Sequence, residues 1–157
     1  MGDIFELTIT LDLRDELSAD ELAELRWHLG LGPRPEVLRI VPRFPYAYLD
    51  DDGVLVVEDL PRPLLGDHCE ARRVGGALVS VLLRREDTWC GAWALTSRQE
   101  IHPNDFDLTG ELLGWLAARA GDRHRESDGS VTLGWTRFLE SCQVEPLVVR
   151  DGVVVWP

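Results

Sequence analysis

One short segment places a thiol next to an imidazole and two carboxylates. It reads Asp67-His68-Cys69-Glu70. A reactive cysteine needs a neighbouring cation to stabilise its thiolate, as well as some exposure to solvent. In an extended chain, however, His68 and Cys69 point to opposite sides, so adjacent residues form a poor catalytic dyad. We therefore expect this segment to be an ordinary surface connection.

Aromatic side chains suggest a second kind of chemistry, the binding of a flat or anionic small molecule. Trp89 and Trp93 fall on the same face of one predicted strand, and Trp135 falls on a strand that the repeat described below would place nearby. Arg137 follows two residues after Trp135. An aromatic wall beside an arginine could hold such a ligand. The alternative, which aromatic stripes satisfy more often, is that these rings only fill the core.

The chain lacks the ligand spacing of a metal site, and we predict no metal and no cofactor. The segment Asp50-Asp51-Asp52-Gly53 resembles part of a calcium loop, but Tyr48 or Leu49 occupies the position where the first carboxylate ligand should be. The histidines show no short zinc-type spacing. The glycines of Arg72-Arg73-Val74-Gly75-Gly76 precede a strand pattern rather than a helix, so they form no phosphate-binding helix start.

Charge composition excludes several functional classes. All 16 basic residues are arginine, so there is no lysine for a Schiff base, a pyridoxal phosphate anchor or a Walker-A phosphate contact. The net charge of −12 opposes binding to nucleic acid, because affinity for a polyanion depends on cationic contacts. Residues 1–60 hold 14 acids and five arginines, so most of the acidic excess lies in the first half.

Location is predicted from what the sequence lacks. No apolar run approaches the roughly 20 residues that cross a bilayer, and the N-terminal stretch does not resemble a signal peptide. Cys69, Cys90 and Cys142 are odd in number and widely spaced, which favours reduced thiols. We therefore expect a cytoplasmic protein with no membrane contact.

The first half of the chain predicts strand, helix and hairpin. Apolar residues alternate with polar ones over residues 5–13, which is typical of a strand with one buried face. Ser18 and Glu21 form a capping box that starts a helix ending near Gly30. A short strand follows at 37–41, and residues 46–49 and 54–57 flank an Asp-Gly turn.

The second half predicts a similar series of elements. Residues 74–83 are nearly all apolar, which favours a strand buried on both faces, and 88–97 form the next strand. A helix begins within 103–107 and ends at Gly121. Val131, Leu133 and Trp135 alternate on one face of a later strand, and a final hairpin joins 147–150 to 153–156.

These elements predict a single α+β domain, residues 1–157, with an internal repeat. Residues 1–60 and 89–157 each run β-α-β-β-β and are joined by 61–88. Two helices should cover one face of an antiparallel sheet. The other face would then carry polar residues: Glu6, Thr8, Thr10, Thr132 and Thr136. Ferredoxin-like folds and dimeric α/β barrels share this layout. Paired βαβββ modules, as in the glyoxalase-like superfamily, share the element order more closely, although neither first strand has the histidine expected of a metal ligand there.

The sequence leaves three functions open. The leading hypothesis is a non-catalytic domain that binds a small ligand or a protein partner, and that forms a homodimer through the polar face of its sheet. The second is a small enzyme on a duplicated scaffold, with Glu58, His68 or His102 as its acid or base. The third is an acidic inhibitor of a basic protein. Fold class alone does not choose among them.

Overall fold

A computed structural model describes residues 3–14, 17–86 and 92–157. They form an α+β fold with a seven-stranded antiparallel sheet, a separate two-stranded sheet and two α-helices. The helices are α1 (Ala19–His28) and α2 (Phe106–Ala118), with 3₁₀ turns at Pro103–Asp105 and Asp122–His124. The strands are β1 (Phe5–Leu13), β2 (Pro45–Leu49), β3 (Leu55–Asp59), β4 (Cys69–Glu70), β5 (Ala77–Arg84), β6 (Trp93–Ile101), β7 (Val131–Phe138), β8 (Glu145–Arg150) and β9 (Val153–Val155).

Strand β1 lies at the centre of the large sheet. The strand order is β4-β5-β6-β1-β7-β8-β9, and all neighbours pair antiparallel. The alternation predicted for residues 5–13 is confirmed, since Leu7, Ile9, Leu11 and Leu13 are at most 3% exposed. These side chains share one hydrophobic core with residues of α1 and α2, such as Leu25 and Leu112. Both helices therefore cover the same face of the sheet.

No α-helix of the described residues lies over the opposite face of the large sheet, which we call the open face. Residues directly opposite each other on paired strands share a face, so the register assigns each side chain. The open face carries Glu6, Thr8, Thr10 and Asp12 of β1, Val79, Val81 and Leu83 of β5, Ala94, Thr96, Arg98 and Glu100 of β6, Thr132, Trp135 and Arg137 of β7, Pro146, Val148 and Arg150 of β8, and Val153 and Val155 of β9.

The first helix begins and ends as its sequence predicts. The Ser18 side chain accepts the Glu21 amide, and Glu21 accepts the Ser18 amide in return. Gly30 follows the helix with φ +69°, and a Cβ there would lie 2.6 Å from the Gly66 carbonyl oxygen. Only glycine fits that position, because the conformation and the close approach both exclude a side chain.

The strand predicted at 37–41 is wrong, and that segment is an irregular loop. The fully buried carboxylate of Glu24 accepts the amides of Arg39, Ile40 and Val41 at 2.5, 2.8 and 3.0 Å. These amides therefore bond to a side chain instead of to a neighbouring strand. Apolar composition alone does not reveal this substitute partner.

Strand β7 contains a bulge that changes which residues face the core. Its register with β8 shifts between Thr132 and Gly134. Val131 and Leu133 are buried, but Trp135 lies on the open face, so the prediction that these three share a face is wrong. Thr136 was expected on the open face for the same reason, and it is instead buried on the helix-covered side. A bulge reverses the alternation of all residues that follow it.

One further expectation is corrected by the sheet. Strand β5 is not buried on both faces, because Val79, Val81 and Leu83 are 38%, 39% and 60% exposed. The strand predicted at 88–97 is observed as β6, although its first residues lie outside the described part of the chain.

The predicted pseudo-duplicated architecture is not confirmed. Strands β2 and β3 form a sheet of their own, whereas β7, β8 and β9 belong to the large sheet.

We expect Gly134→Ala to destabilise the protein by more than about 3 kcal/mol, which is beyond the usual cost of one added methyl group. A Cβ at Gly134 would lie 1.9 Å from the backbone oxygen of Thr8 on the central strand. Gly75→Ala is the matched control, because no atom lies within 4 Å of its Cβ position. Chemical denaturation measures both variants. Equal stability of the two would contradict the close packing of β7 on β1.

Candidate functional site

The open face is organised around two carboxylates at opposite ends of β1. Glu6 accepts hydrogen bonds from Arg98 Nε at 2.8 Å and from Arg137 Nη2 at 2.7 Å. Its side chain is only 11% exposed. Arg98 comes from β6 and Arg137 from β7, so this ion-pair cluster links the three central strands. Charge-assisted hydrogen bonds of this kind are roughly twice as strong as neutral ones.

The second carboxylate, Asp12, is held in the same way. Its two oxygens lie 3.0 Å from Arg85 Nη2 and 3.3 Å from Arg123 Nη1. The amide of Asp12 donates to His124 Nε2 at 2.9 Å, so that ring nitrogen is an acceptor and carries no proton. Burial lowers the pKa of His124, and Arg123 lowers it further, against the opposing attraction of Asp12. The neutral imidazole therefore fits this hydrogen bond.

Apolar side chains flank these clusters on both sides. Val79, Val81 and Leu83 of β5 lie on one flank, and Trp135, Val148, Val153 and Val155 lie on the other. The exposed fractions reach 60% at Leu83 and 67% at Val153. With Glu100 and Arg150, which also lie on this face, three carboxylates and five arginines give a net charge of +2, although the whole chain carries −12. The open face is thus an apolar surface with a cationic centre on an acidic protein.

The expected polar character of this face is confirmed at Glu6, Thr8 and Thr10, which lie on it. Asp12 continues the same alternation and could have been included from the sequence. Arg85 and Arg98 could not, because their positions beside β1 depend on strand order. The exposed valines of β5 were missed because a continuous apolar run was interpreted as a strand with two buried faces.

The structure separates the predicted aromatic ligand site. Trp93 lies on the helix-covered side, packed against the core, with the Arg84 guanidinium 5.1 Å from its ring centroid. Trp135 and Arg137 lie together on the open face. Trp89 falls outside the described residues. Trp93 and Trp135 therefore do not line one cleft, and ligand binding at Trp135 and Arg137 stays a prediction.

The three acid–base candidates lie on separate elements and have separate partners. Glu58 on β3 accepts the Tyr48 hydroxyl at 2.9 Å. His68 Nε2 lies 2.7 Å from the Leu29 carbonyl oxygen, and His102 Nδ1 accepts the Asn104 amide at 3.0 Å. Among the described residues, no hydrogen bond or ion pair joins any two of these three side chains. Nor do the described residues contain a group of three or more His, Cys, Asp or Glu side chains that could hold a metal ion.

A second exposed apolar surface is formed by the β2–β3 hairpin with its flanking residues, 45–60, which we call the arm. Strands β2 and β3 pair with each other and stand apart from the large sheet. Leu49, Leu55 and Val57 are 68%, 65% and 62% exposed. The arm also contains five acidic residues and no basic one. It therefore combines apolar side chains with a strongly negative charge.

A surface groove lies between α2 and β9, with an accessible volume of about 260 Å³. Phe106 and Trp156 line it, and their rings stack against each other at a centroid distance of 4.1 Å. Asp107 and Glu111, both exposed, form its polar side. Because each aromatic ring already covers the other, the groove offers a ligand little free aromatic surface.

A buried ionisable pair lies on the inner side of α1. His28 and Glu24 are both fully buried, and His28 Nε2 lies 3.5 Å from Glu24 Oε1. Neither ring nitrogen of His28 has a hydrogen-bond partner among the described residues. Burial lowers the pKa of His28 to about 4, and the neighbouring Glu24 carboxylate opposes that shift only in part. His28 is therefore neutral at physiological pH.

Comparison with known proteins identifies no relative. The chain matches no protein-family model, no curated protein and no solved structure. No helix in the described part of the chain is long and apolar enough to cross a membrane. Function is therefore argued from the geometry alone.

We expect Glu6→Gln to reduce the free energy of unfolding by about 1–3 kcal/mol, the range for losing hydrogen bonds to a poorly exposed charge. The change leaves Arg98 and Arg137 without their shared anion. Asp105→Asn is the control, because its ion pair with Arg62 is exposed and should contribute at most about 1 kcal/mol. Urea denaturation at pH 7 measures both. Equal losses would show that the Glu6 cluster is no stronger than a surface ion pair.

We expect His28→Leu to make stability less dependent on pH between about 6.5 and 4. The unfolded histidine binds a proton near its usual pKa of 6.5, whereas the folded one does so only near 4, so acidification through this range favours unfolding. The wild type should lose about 2 kcal/mol more than the variant between pH 7 and pH 4.5. Parallel denaturation curves at both pH values measure the difference, and identical losses would contradict it.

Proposed function

We propose that this chain is a protein-binding domain that acts through its open face, and that it forms a homodimer there. The observation that carries the proposal is the pair of apolar flanks on either side of the Glu6 and Asp12 clusters. A sheet face exposed to water normally carries polar residues. On this face, however, β5, β8 and β9 carry valine and leucine. Contiguous exposed apolar surface of this kind marks interaction sites.

The dimensions of the face suit a protein partner. Five adjacent strands at about 4.8 Å spacing, each about eight residues long, cover roughly 24 by 26 Å, on the order of 600 Å² in projection. The accessible surface exceeds the projection, and a standard interface buries about 800 Å² on each partner. An interface that covered the face would therefore reach the usual size.

The charges at the centre of the face also suit burial. Glu6 and Asp12 already pair with arginines inside one chain, and Glu100 accepts two backbone amides, so a partner would not cover a carboxylate without hydrogen-bond donors. Burying an unpaired charge is costly, whereas a paired and hydrogen-bonded charge carries a smaller penalty. The arginines retain other N–H donors for groups on the partner.

The two strands at the ends of the large sheet are both short. Strand β4 has two residues and β9 has three, and short edge strands resist pairing with another sheet. Closed two-fold dimers are by far the commonest oligomers, and each copy contributes the same surface patches to them. A homodimer is thus the simplest assembly that would cover the face.

A small anionic ligand is the second candidate, and it is favoured by one observation. Trp135 and Arg137 lie two residues apart on the open face, with exposed fractions of 39% and, for the arginine side chain, 38%. An aromatic carboxylate stacked on the indole would reach the guanidinium. Quenching of tryptophan fluorescence by such ligands, abolished in Arg137→Gln, would favour this candidate over the first.

We expect Val81→Glu to weaken dimerisation at least about tenfold, which corresponds to 1.4 kcal/mol. The side chain of Val81 is 39% exposed in the single chain, so the fold should tolerate the charge while an apolar interface should not. Val37→Glu is the control, because Val37 is 60% exposed and precedes the loop amides that bond to Glu24 of α1, on the helix-covered side. Sedimentation equilibrium measures all three proteins. A monomeric wild type at tens of micromolar, or equal dimerisation of both variants, would reject the proposal.

A further inference from the structure

We infer that the arm of a second copy covers the open face, in a reciprocal exchange between two chains. The inference rests on the proposed function, since it names the surface that meets the open face in the homodimer. Three observations carry it: the isolation of the arm, its exposed apolar residues, and the opposite charges of the two surfaces.

Both faces of the arm are exposed, and hydrogen bonds hold its base and its tip. Two-stranded hairpins alone are marginally stable in water. At its base, Asp59 accepts the Phe44 amide at 2.6 Å, and Leu60 donates to the Phe44 carbonyl at 2.9 Å. At its tip, Asp50 accepts the amides of Asp52 and Val54 at 3.0 and 2.8 Å. An element held in one conformation loses little entropy when it binds.

Both faces of the arm carry side chains that an interface would bury. Ala47 lies opposite Val57, and Leu49 lies opposite Leu55, on one face. The rings of Tyr46 and Tyr48 lie 5.9 Å apart on the other. The aliphatic face is the natural match for the valines and leucine of β5, because both are flat arrays of small branched side chains on strands. The arm therefore has the shape and chemistry of a strand pair laid on a sheet.

Charge favours the arm, rather than a second open face, as the surface that binds the open face. The arm holds five carboxylates and no cation, whereas the open face, with Glu100 and Arg150 counted, carries a net charge of +2. Two open faces would bring like charges together, and like-charge contacts across an interface are costly. An arm on the face brings unlike charges together instead.

The arm of each chain must bind the open face of the other chain. Within one chain the open-face residues and the arm residues both remain exposed, so the arm does not cover its own face. If each of two copies places its arm on the other, the assembly closes with two-fold symmetry, whereas one-way contacts would build open chains. The reciprocal dimer contains two identical arm–face contacts.

Mixing two defective variants tests the exchange. Leu55→Thr/Val57→Thr removes apolar groups from the arm while keeping residues that favour strands, and Val81→Glu alters the face. Each variant alone has no intact arm–face contact and should be monomeric at concentrations where the wild type is dimeric. In a mixture, the arm of the Val81→Glu chain meets the unaltered face of the arm variant. One intact contact is restored, so we expect heterodimers in native mass spectrometry.

The matched control places all three substitutions on one chain and mixes that chain with the wild type. The number of altered residues is unchanged, but neither arm–face contact in a mixed dimer is intact, so few heterodimers should form. Circular dichroism and thermal melting check that each variant is folded. Asp51→Asn/Asp52→Asn is a second arm variant at exposed positions, and it should weaken the dimer and reduce its salt dependence.

The outcomes separate the inference from the proposed function. Heterodimers in the test mixture but not in the control support the exchange. A dimer that is weakened by Val81→Glu and unaffected by both arm variants overturns the exchange, and it leaves a face-to-face homodimer. A monomeric wild type, or a dimer unaffected by Val81→Glu, overturns both. A dimer that needs arm and face but shows no rescue on mixing also overturns the reciprocal exchange.

Discussion

The alternation of side chains along β1 is the constraint on which the rest of the structure depends. Every second residue of this central strand enters the core beneath both helices, and the residues between them face the open side. Glu6 and Asp12 stand on that open side, where β6 and β7 supply arginines to Glu6, and the segments that follow β5 and α2 supply arginines to Asp12. Core packing and surface charge are thus set by one strand with two chemically different faces.

Two features of the strands place apolar side chains on the open face: the bulge in β7 and the alternation along β5. Gly134 lets β7 approach β1, and the bulge beside it turns Trp135 outward. The residues of β5 alternate as well, so three of its five valines and leucines lie outside the core. This apolar surface does not help the single chain to fold. Its arrangement around paired charges is what supports an interface.

Local patterns predicted many of the elements correctly. Strand β1, the capped helix α1 and the two Asp-Gly hairpins each depend on residues close together in the chain. The loop at 37–41 was not predictable in this way, because Glu24 satisfies its amides from a helix. The candidate site was predictable only in part: Glu6 was placed on the correct face, but its partner Arg98 depends on which strands are neighbours.

The sequence by itself determined the α+β class, the two helices, the acidic charge and the absence of lysine-based chemistry. These properties follow from composition and from periodicities that extend over a few residues. Tertiary structure decided that the arm stands apart, that Trp93 and Trp135 face opposite sides, and that four arginines surround β1. Strand order and register set these features, and both arise from contacts between residues far apart in the chain.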